Sequence, residues 1–244
     1  MGSCSGSGRI MLVGIVLFAI ATLSVYTTRT ASAQALTGTT SIITVPVAYV
    51  PPDGTITLGG GFVHRKYADY TSGRYHYAPY FGSIVFLPFL EVSYRFSRAL
   101  VDRPFALGDR SVNIRAQLLT ERGHRPAVLI GAHDFIQTTD GQNNNFNALY
   151  LVASRTFRPA SKLPRFSLHA GYGTDWLSAR NRKFVGLFGG LTVSPLSGYE
   201  LLLEYDGSII SAGQRIRLFD HIEILTALQN FDAFSGGAAF SFSL

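Results

Sequence analysis

Strict alternation of apolar and polar side chains is the clearest pattern in this chain. Four segments carry it: residues 90–97, 111–118, 165–176 and 199–206. In the first of them the apolar set is Leu90, Val92, Tyr94 and Phe96. A period of two places the two sets on opposite faces of a β-strand. The pattern therefore predicts strands with one apolar and one polar face.

Less regular strand candidates occupy the intervening sequence. They are residues 55–65, 74–86, 126–136, 145–157, 182–193, 214–218, 221–229 and 235–244. Together with the four alternating segments they predict about 12 strands, with a range of 10–14. Most are long enough for a tilted strand that spans a membrane. Tight turns alternate with longer polar loops, as in outer-membrane barrels.

Alternation alone also fits a soluble sheet, so three further features favour a closed antiparallel outer-membrane β-barrel. The first is the mixture of acids and bases on the polar face, which suits an enclosed wet lumen. The candidate lumen-lining residues are Glu91, Arg95, Asn113, Arg115, Gln117, Arg165, His169, Asp175, Glu200, Glu204, Asp206, Arg215 and Arg217.

Aromatic residues on the apolar face are the second feature. They are expected near strand ends, where outer-membrane barrels carry aromatic girdles at the membrane interfaces. The girdle candidates are Tyr94, Phe96, Tyr172, Trp176, Tyr199 and Tyr205. The third feature is the last strand, which resembles the C-terminal signal read by the barrel assembly machinery. Its residues are Ser235, Gly237, Phe240, Phe242 and Leu244.

The first 33 residues predict a secretory signal peptide. Arg9 precedes an apolar run at residues 11–25, and Ala31-Ser32-Ala33 precedes Gln34 as a small-residue cleavage site. This predicts Sec-type export and cleavage near Ala33-Gln34. The expected organisation is a signal peptide at 1–33, an N-terminal periplasmic segment at 34–54 and a transmembrane barrel at 55–244.

Composition excludes several functions for the body of the chain. The single cysteine is Cys4, within the leader, so thiolate metal sites and cysteine nucleophiles are excluded downstream. The formal charge is +6, without the clustered Lys and Arg of a nucleic-acid binder. We expect no cofactor, no metal and no catalytic residue.

Two polar groupings have an alternative chemical interpretation. Ser167, His169 and Asp175 share one strand face, which leaves open a lipid hydrolase, although hydrogen bonding within the lumen is the simpler interpretation. The polar run at residues 134–145 offers oxygen atoms to calcium or a sugar. Its Asp140-Gly141 pair is also an ordinary turn sequence.

Several phrases of the sequence together resemble the YjbH-type family. They are Asp53-Gly54, residues 86–91 (FLPFLE), Asp109-Arg110-Ser111, Asp134-Phe135, residues 150–155 (YLVASR) and residues 204–207 (EYDG). The resemblance covers most of residues 37–210. It implies an outer-membrane component associated with exopolysaccharide production and export in a Gram-negative cell.

These observations lead to three functional hypotheses. The first is a non-enzymatic outer-membrane barrel that assists exopolysaccharide export or surface assembly. The second is a general small-solute porin or structural barrel, and the third is a lipid hydrolase that uses Ser167 and His169. The expected partners are outer-membrane lipid, the barrel assembly machinery, exopolysaccharide and periplasmic export proteins.

Overall fold

The structure is a computed structural model that describes residues 36–68, 75–101, 108–137, 148–159, 163–175 and 183–244. Its described residues form a closed barrel of twelve strands. In chain order these are β1 (Thr55–Phe62), β2 (Tyr77–Val85), β3 (Leu90–Ala99), β4 (Asp109–Leu119), β5 (Ala127–Gln137), β6 (Ala148–Phe157), β7 (Arg165–Asp175), β8 (Gly186–Leu196), β9 (Tyr199–Tyr205), β10 (Ile210–Leu218), β11 (Ile222–Gln229) and β12 (Ala233–Ser243).

Every strand pairs antiparallel with its neighbours in the chain, and β12 closes the sheet by pairing with β1. The closing register runs from Thr55 opposite Ser243 to Phe62 opposite Gly236. Closure leaves no strand edge with unpaired backbone groups, which a spanning sheet requires. The prediction of an all-β closed antiparallel barrel of about twelve strands is confirmed.

Burial follows the alternation of the sequence. In β3, Glu91, Ser93, Arg95 and Ser97 are buried, whereas Tyr94 and Arg98 are exposed. The polar face of this strand thus points to the lumen and the apolar face points outward. Large apolar side chains are exposed on the outer wall, among them Leu58, Ile84, Leu151, Leu168, Tyr172, Leu201 and Phe240.

The two ends of the barrel differ in the lengths of their connections. At one end, which we call the short-turn end, the connections are residues 86–89, 120–126, 158–164, 197–198 and 219–221. At the long-loop end they include residues 63–76, 100–108 and 138–147. Among the described residues, no helix is long and apolar enough to cross a membrane.

At the long-loop end, Asp232 connects the turn after β11 to the loop after β1. Lys66 forms an ion pair with Asp232, and the Tyr67 hydroxyl donates to it at 2.7 Å. The hydrogen bond from Lys66 is the main reason that the pKa of Asp232 lies below its usual range. The contact is solvent-exposed, so it adds little to stability.

Strand β10 begins earlier than predicted, at Ile210 rather than residue 214. The small residues Ser211, Ala212 and Gly213 carry no apolar and polar contrast, so periodicity did not detect the first half of the strand. The observed bounds of the other strands differ from the predicted bounds by a few residues at most at either end.

The N-terminal segment differs more from the expectation. Residues 34–54 were expected to precede the barrel as a periplasmic segment, but residues 36–48 are buried inside it. We call residues 36–50 the lumenal segment. Space for its first residue comes from Gly61 and Gly237, which lie opposite each other in β1 and β12, because a Cβ on either would meet the Leu36 side chain.

The girdle candidates within the described residues lie on the outer wall, at different heights. Tyr199 and Tyr205 are the first and last residues of β9, and Tyr172 is exposed near the end of β7. Tyr94 lies in the middle of β3, away from the strand ends, and Phe96 beside it is half-buried. Trp176 lies outside the described residues.

The C-terminal residues alternate in the same way. Ser235 is buried at the lumen, Gly237 faces the lumenal segment, and Phe240 and Leu244 are exposed outside, with Phe242 half-buried between them. The Leu244 amide donates to the Gly54 carbonyl at 3.1 Å, so the C-terminus is fixed beside the start of β1 at the short-turn end.

We predict that Gly61→Val destabilises the barrel by about 1–3 kcal/mol. The new side chain would collide with the Gly236 carbonyl and with Leu36, whose contacts lie at 2.7 and 2.8 Å from the ideal Cβ. The temperature at which the compact form is lost in detergent, read from gel mobility, measures this. Ala238→Val, on the outer wall of β12, is the control. Equal midpoints for the two variants would contradict the packing described.

Candidate functional site

The candidate site is the barrel lumen, where the predicted lumen-lining residues meet the lumenal segment. Glu91, Arg95, Asn113, Arg115, His169, Glu204, Asp206 and Arg215 are buried, and Gln117, Arg165, Glu200 and Arg217 are partly buried. The side chain of Asp175 lies outside what the structure describes. The wall therefore presents a dense set of charges to whatever occupies the lumen.

The lumenal segment is a compact loop. Ser41 and Pro46 form a bridge, and the Ile42 amide donates to the Val45 carbonyl at 2.8 Å. The Leu36 amide donates to the Ile43 carbonyl at 3.3 Å. These few internal bonds leave most of the loop's backbone groups without a sheet partner. Side chains of the wall must satisfy them.

Glu204 of β9 receives the tip of the loop. The amides of Ile43, Thr44 and Val45 all donate to its carboxylate at 2.9–3.1 Å, and the Thr44 hydroxyl donates at 2.6 Å. Three consecutive amides around one anion form a nest. Glu204 itself is only 2% exposed, so these four donors replace the water that it loses.

Arg215 of β10 binds carbonyl groups of the same loop. Its guanidinium donates to the Ser41 carbonyl at 2.8 Å and to the Ile42 carbonyl, and it forms an ion pair with Glu200 at 2.7 Å. The loop is therefore held by an acid at its amides and by a base at its carbonyls. The loop satisfies these two buried charges, and the charges in turn satisfy backbone groups of the loop.

A second acid and base pair holds the other side of the segment. Glu91 and Arg115 form a buried ion pair at 2.8 Å. The Thr40 amide and hydroxyl donate to Glu91 at 3.1 and 3.0 Å. Arg115 donates to the carbonyls of Thr40, at 2.6 Å, and of Val47. The pairs on β3–β4 and on β9–β10 thus hold the segment from two sides.

The end of the segment is fixed near the short-turn end. Gln117 donates to the Ala48 carbonyl at 2.6 Å, and the Ala48 amide donates to the Ser154 hydroxyl at 2.8 Å. The Tyr49 hydroxyl donates to Glu121 at 2.7 Å. Burial raises the pKa of Tyr49 well above its usual value, so this hydroxyl stays protonated as a donor.

Apolar packing fills the remaining space. Leu36, Ile42, Ile43 and Val45 of the segment are 0–3% exposed. They belong to one buried cluster with lumen-facing wall residues, which include Leu129, Val152, Phe188, Leu202 and Leu225. A cavity between Leu36 and the wall has a volume of about 10 Å³, room for one water molecule. At this level the interior is packed like a protein core.

Polar wall residues away from the segment satisfy one another. Arg95 pairs with Asp134 at 2.9 Å, and Asn113 accepts from the Asp134 amide at 2.8 Å. Arg217 pairs with Glu223. Asp206 closes the β9–β10 turn by accepting from Ser208 and Ile209. For Arg165 the described contact is a 3.5 Å approach to Ser194.

Sequence reasoning missed three functional groups of this lumen. Asp134 fell in the strand candidate 126–136 and in the polar run 134–145 but was not predicted to face the lumen, where a β-bulge between β4 and β5 places it against Arg95. Glu121 and Ser154 were not singled out, although both bind the lumenal segment. Ser154 follows the alternation of its strand, so parity was a signal that could have identified it.

Ser167 and His169, the described side chains of the alternative catalytic grouping, contact other residues. The Ser167 hydroxyl lies 2.9 Å from the Thr156 hydroxyl, and His169 Nδ1 lies 2.8 Å from the Ser154 hydroxyl. His169 therefore contacts Ser154, which binds the Ala48 amide, and not Ser167. Among the described residues, no group of three or more metal-binding side chains is present. Asp140 and Gly141 lie outside them.

Comparison with known families gives one match. The family YjbH, described as exopolysaccharide biosynthesis protein YbjH, matches residues 33–184. The match covers more than half of the chain and includes the lumenal segment and β1 to β7. No curated protein matches the chain.

We predict that Glu204→Ala destabilises the folded barrel by about 3 kcal/mol, because three buried amides and the Thr44 hydroxyl lose their acceptor. Asp53→Asn is the control, since Asp53 is exposed and accepts only from the adjacent Gly54 amide at 3.0 Å. The midpoint of heat-dependent gel mobility in detergent measures both. A Glu204→Ala midpoint equal to that of the control would show that the contact is dispensable.

Proposed function

Because the chain belongs to the YjbH exopolysaccharide biosynthesis family, we propose that it is a non-enzymatic outer-membrane barrel that assists exopolysaccharide export or surface assembly. The observation that carries this proposal is the combination of a closed barrel with an apolar outer wall and a lumen occupied by its own chain. The apolar outer wall of such a molecule suits contact with a bilayer, and its lumen is filled by its own N-terminal segment.

The predicted leader supports the location. Residues 1–33 have the features of an export signal, and the family match begins at residue 33, where that leader ends. Cleavage near Ala33-Gln34 leaves a mature chain that starts just before Leu36. Leu36, the first described residue, lies against the lumen wall at Gly61 and Gly237.

The filled lumen favours a role in assisting export or assembly over conduction through this barrel. Glu204, Arg215, Glu91 and Arg115 are already occupied by the lumenal segment, so the lumen offers few free polar groups to a sugar chain. A general small-solute porin needs a continuous aqueous path. The working surfaces of the proposed protein are therefore its two ends and its outer wall.

A deletion strain tests the proposed function. We expect loss of the gene to reduce exopolysaccharide at the cell surface, and a plasmid copy of the full chain to restore it. Density-gradient fractionation of the same cells should place the protein with outer-membrane markers. Normal amounts and assembly of polysaccharide in the deletion strain would overturn the proposed role.

We predict that the purified barrel gives no steady conductance steps in planar bilayers. The lumenal segment and the wall close the path at the level of Ile42 and Ile43, both about 0–1% exposed. Insertion is verified independently by protease protection of the reconstituted sample. Regular, long-lived openings of the wild-type protein would favour the porin hypothesis instead.

A further inference from the structure

Four arginines lie at or beside the short-turn end without a carboxylate partner among the described residues. They are Arg122, Arg125, Arg155 and Arg158, from the β4–β5 turn and from β6 with its following turn. Among the described residues, none of these guanidinium groups has an acid within ion-pair distance. In the lumen, by contrast, Arg95, Arg115, Arg215 and Arg217 each pair with a carboxylate.

Arg155 is the organised member of this group. It follows buried Ser154 in β6, so its side chain leaves the outer face of the barrel. Its guanidinium lies over the Phe157 ring, 5.0 Å from the centroid, and Phe157 stacks on Phe166 at 5.0 Å. The His124 Nδ1 lies 3.1 Å from Arg155 Nη2. These contacts fix the position of the Arg155 guanidinium group. Its other N–H donors are left to bind solvent or a ligand.

The acid nearest in sequence to the cluster is turned away from it. Glu121 accepts from the Thr156 amide at 2.9 Å and from the hydroxyl of Tyr49, a residue of the lumenal segment, at 2.7 Å. Its charge is thus used to hold the lumenal segment. The outer surface of the cluster keeps a net positive charge that attracts an anion.

An apolar groove begins beside Arg155. Leu168 is the cross-strand neighbour of Arg155, Leu191 is the neighbour of Leu168, and Leu203 is the neighbour of Leu191. Together with Leu187 and Tyr205 these residues line an outer-wall depression of about 400 Å³. Its floor includes Gly189, which shares the outer face of β8 with Leu187 and Leu191 and carries no side chain to fill the depression.

We propose that this groove and the adjoining arginines bind one anionic phospholipid, with its phosphate at Arg155 and His124 and an acyl chain over Gly189. The charge complementarity and the direct continuation of the cluster into the groove carry the assignment. The proposal rests on the proposed outer-membrane location, in which the short-turn end faces the periplasm. The headgroup site then lies in the inner leaflet.

Native mass spectrometry of the purified full chain in detergent tests this with phosphatidylglycerol as the probe and phosphatidylethanolamine as the comparison lipid. We expect preferential retention of one phosphatidylglycerol. Arg155→Gln should weaken its binding about tenfold. The matched control is Arg98→Gln, since Arg98 also leaves the outer wall but at the long-loop end, and it should bind as the wild type does.

His124→Asn keeps the test decisive if Arg155→Gln does not fold, because His124 lies in an exposed turn, and it should weaken binding about threefold. Soluble glycerol 1-phosphate at millimolar concentration should not displace the lipid, since it lacks the acyl chain. Displacement would mean a headgroup-only anion site and would overturn the proposal. Equal affinity for the two lipids, or equal effects of Arg155→Gln and Arg98→Gln, would also overturn it.

Failure of the lipid site and failure of the proposed function give different results. Loss of phosphatidylglycerol preference in a protein that still fractionates with the outer membrane would remove only the lipid site. A protein that does not fractionate with membranes would remove the proposed location whatever the result in detergent.

Discussion

The structure depends on the burial of a short peptide loop inside a closed sheet, and on the charges that make this burial possible. A loop in the lumen has no strand beside it to satisfy its backbone. Glu204 takes three consecutive amides, and Arg215 and Arg115 take the carbonyls on either side. Removing the loop would leave buried Glu204 without the donors that replace its water.

This arrangement changes the meaning of the polar lumen. Charged residues that face inward usually indicate an aqueous path, but here they are ligands for the chain's own N-terminal segment. Apolar residues complete the interior, where Ile42 and Ile43 belong to the same buried cluster as Leu202 and Leu225. A family match to exopolysaccharide biosynthesis is then more readily connected to the outer wall and the two ends of the barrel than to passage through its centre.

The architecture could be predicted from the sequence, because a strand with one buried polar face and one exposed apolar face has an alternating pattern of residues. Four strands were detected from strict alternation and the others from less regular patterns, and the β1–β12 closure agreed with the C-terminal pattern. Asp134 escaped detection because a bulge reverses its parity. The pairing of specific acids and bases across strands depends on register, which periodicity does not fix.

The lumenal segment was missed although the sequence contained a trace of it. Leu202 stands on the polar face of its strand between Glu200 and Glu204, where a water-filled lumen offers it no partner. Leu129 and Val152 face the same interior. Apolar residues on the lumen side indicate that something apolar fills the barrel. Residues 36–50 lack alternation because their backbone bonds go to side chains rather than to a strand.

Engineered disulfides test the buried segment most directly, since the only native cysteine is Cys4 in the predicted leader. The Ala48 amide lies 2.8 Å from the Ser154 hydroxyl inside the barrel, whereas Ala153 is directed outward. The account predicts that Ala48→Cys with Ser154→Cys forms a disulfide in intact membranes and that Ala48→Cys with Ala153→Cys does not. Failure of the first pair to form, in a barrel that is otherwise folded, would contradict it.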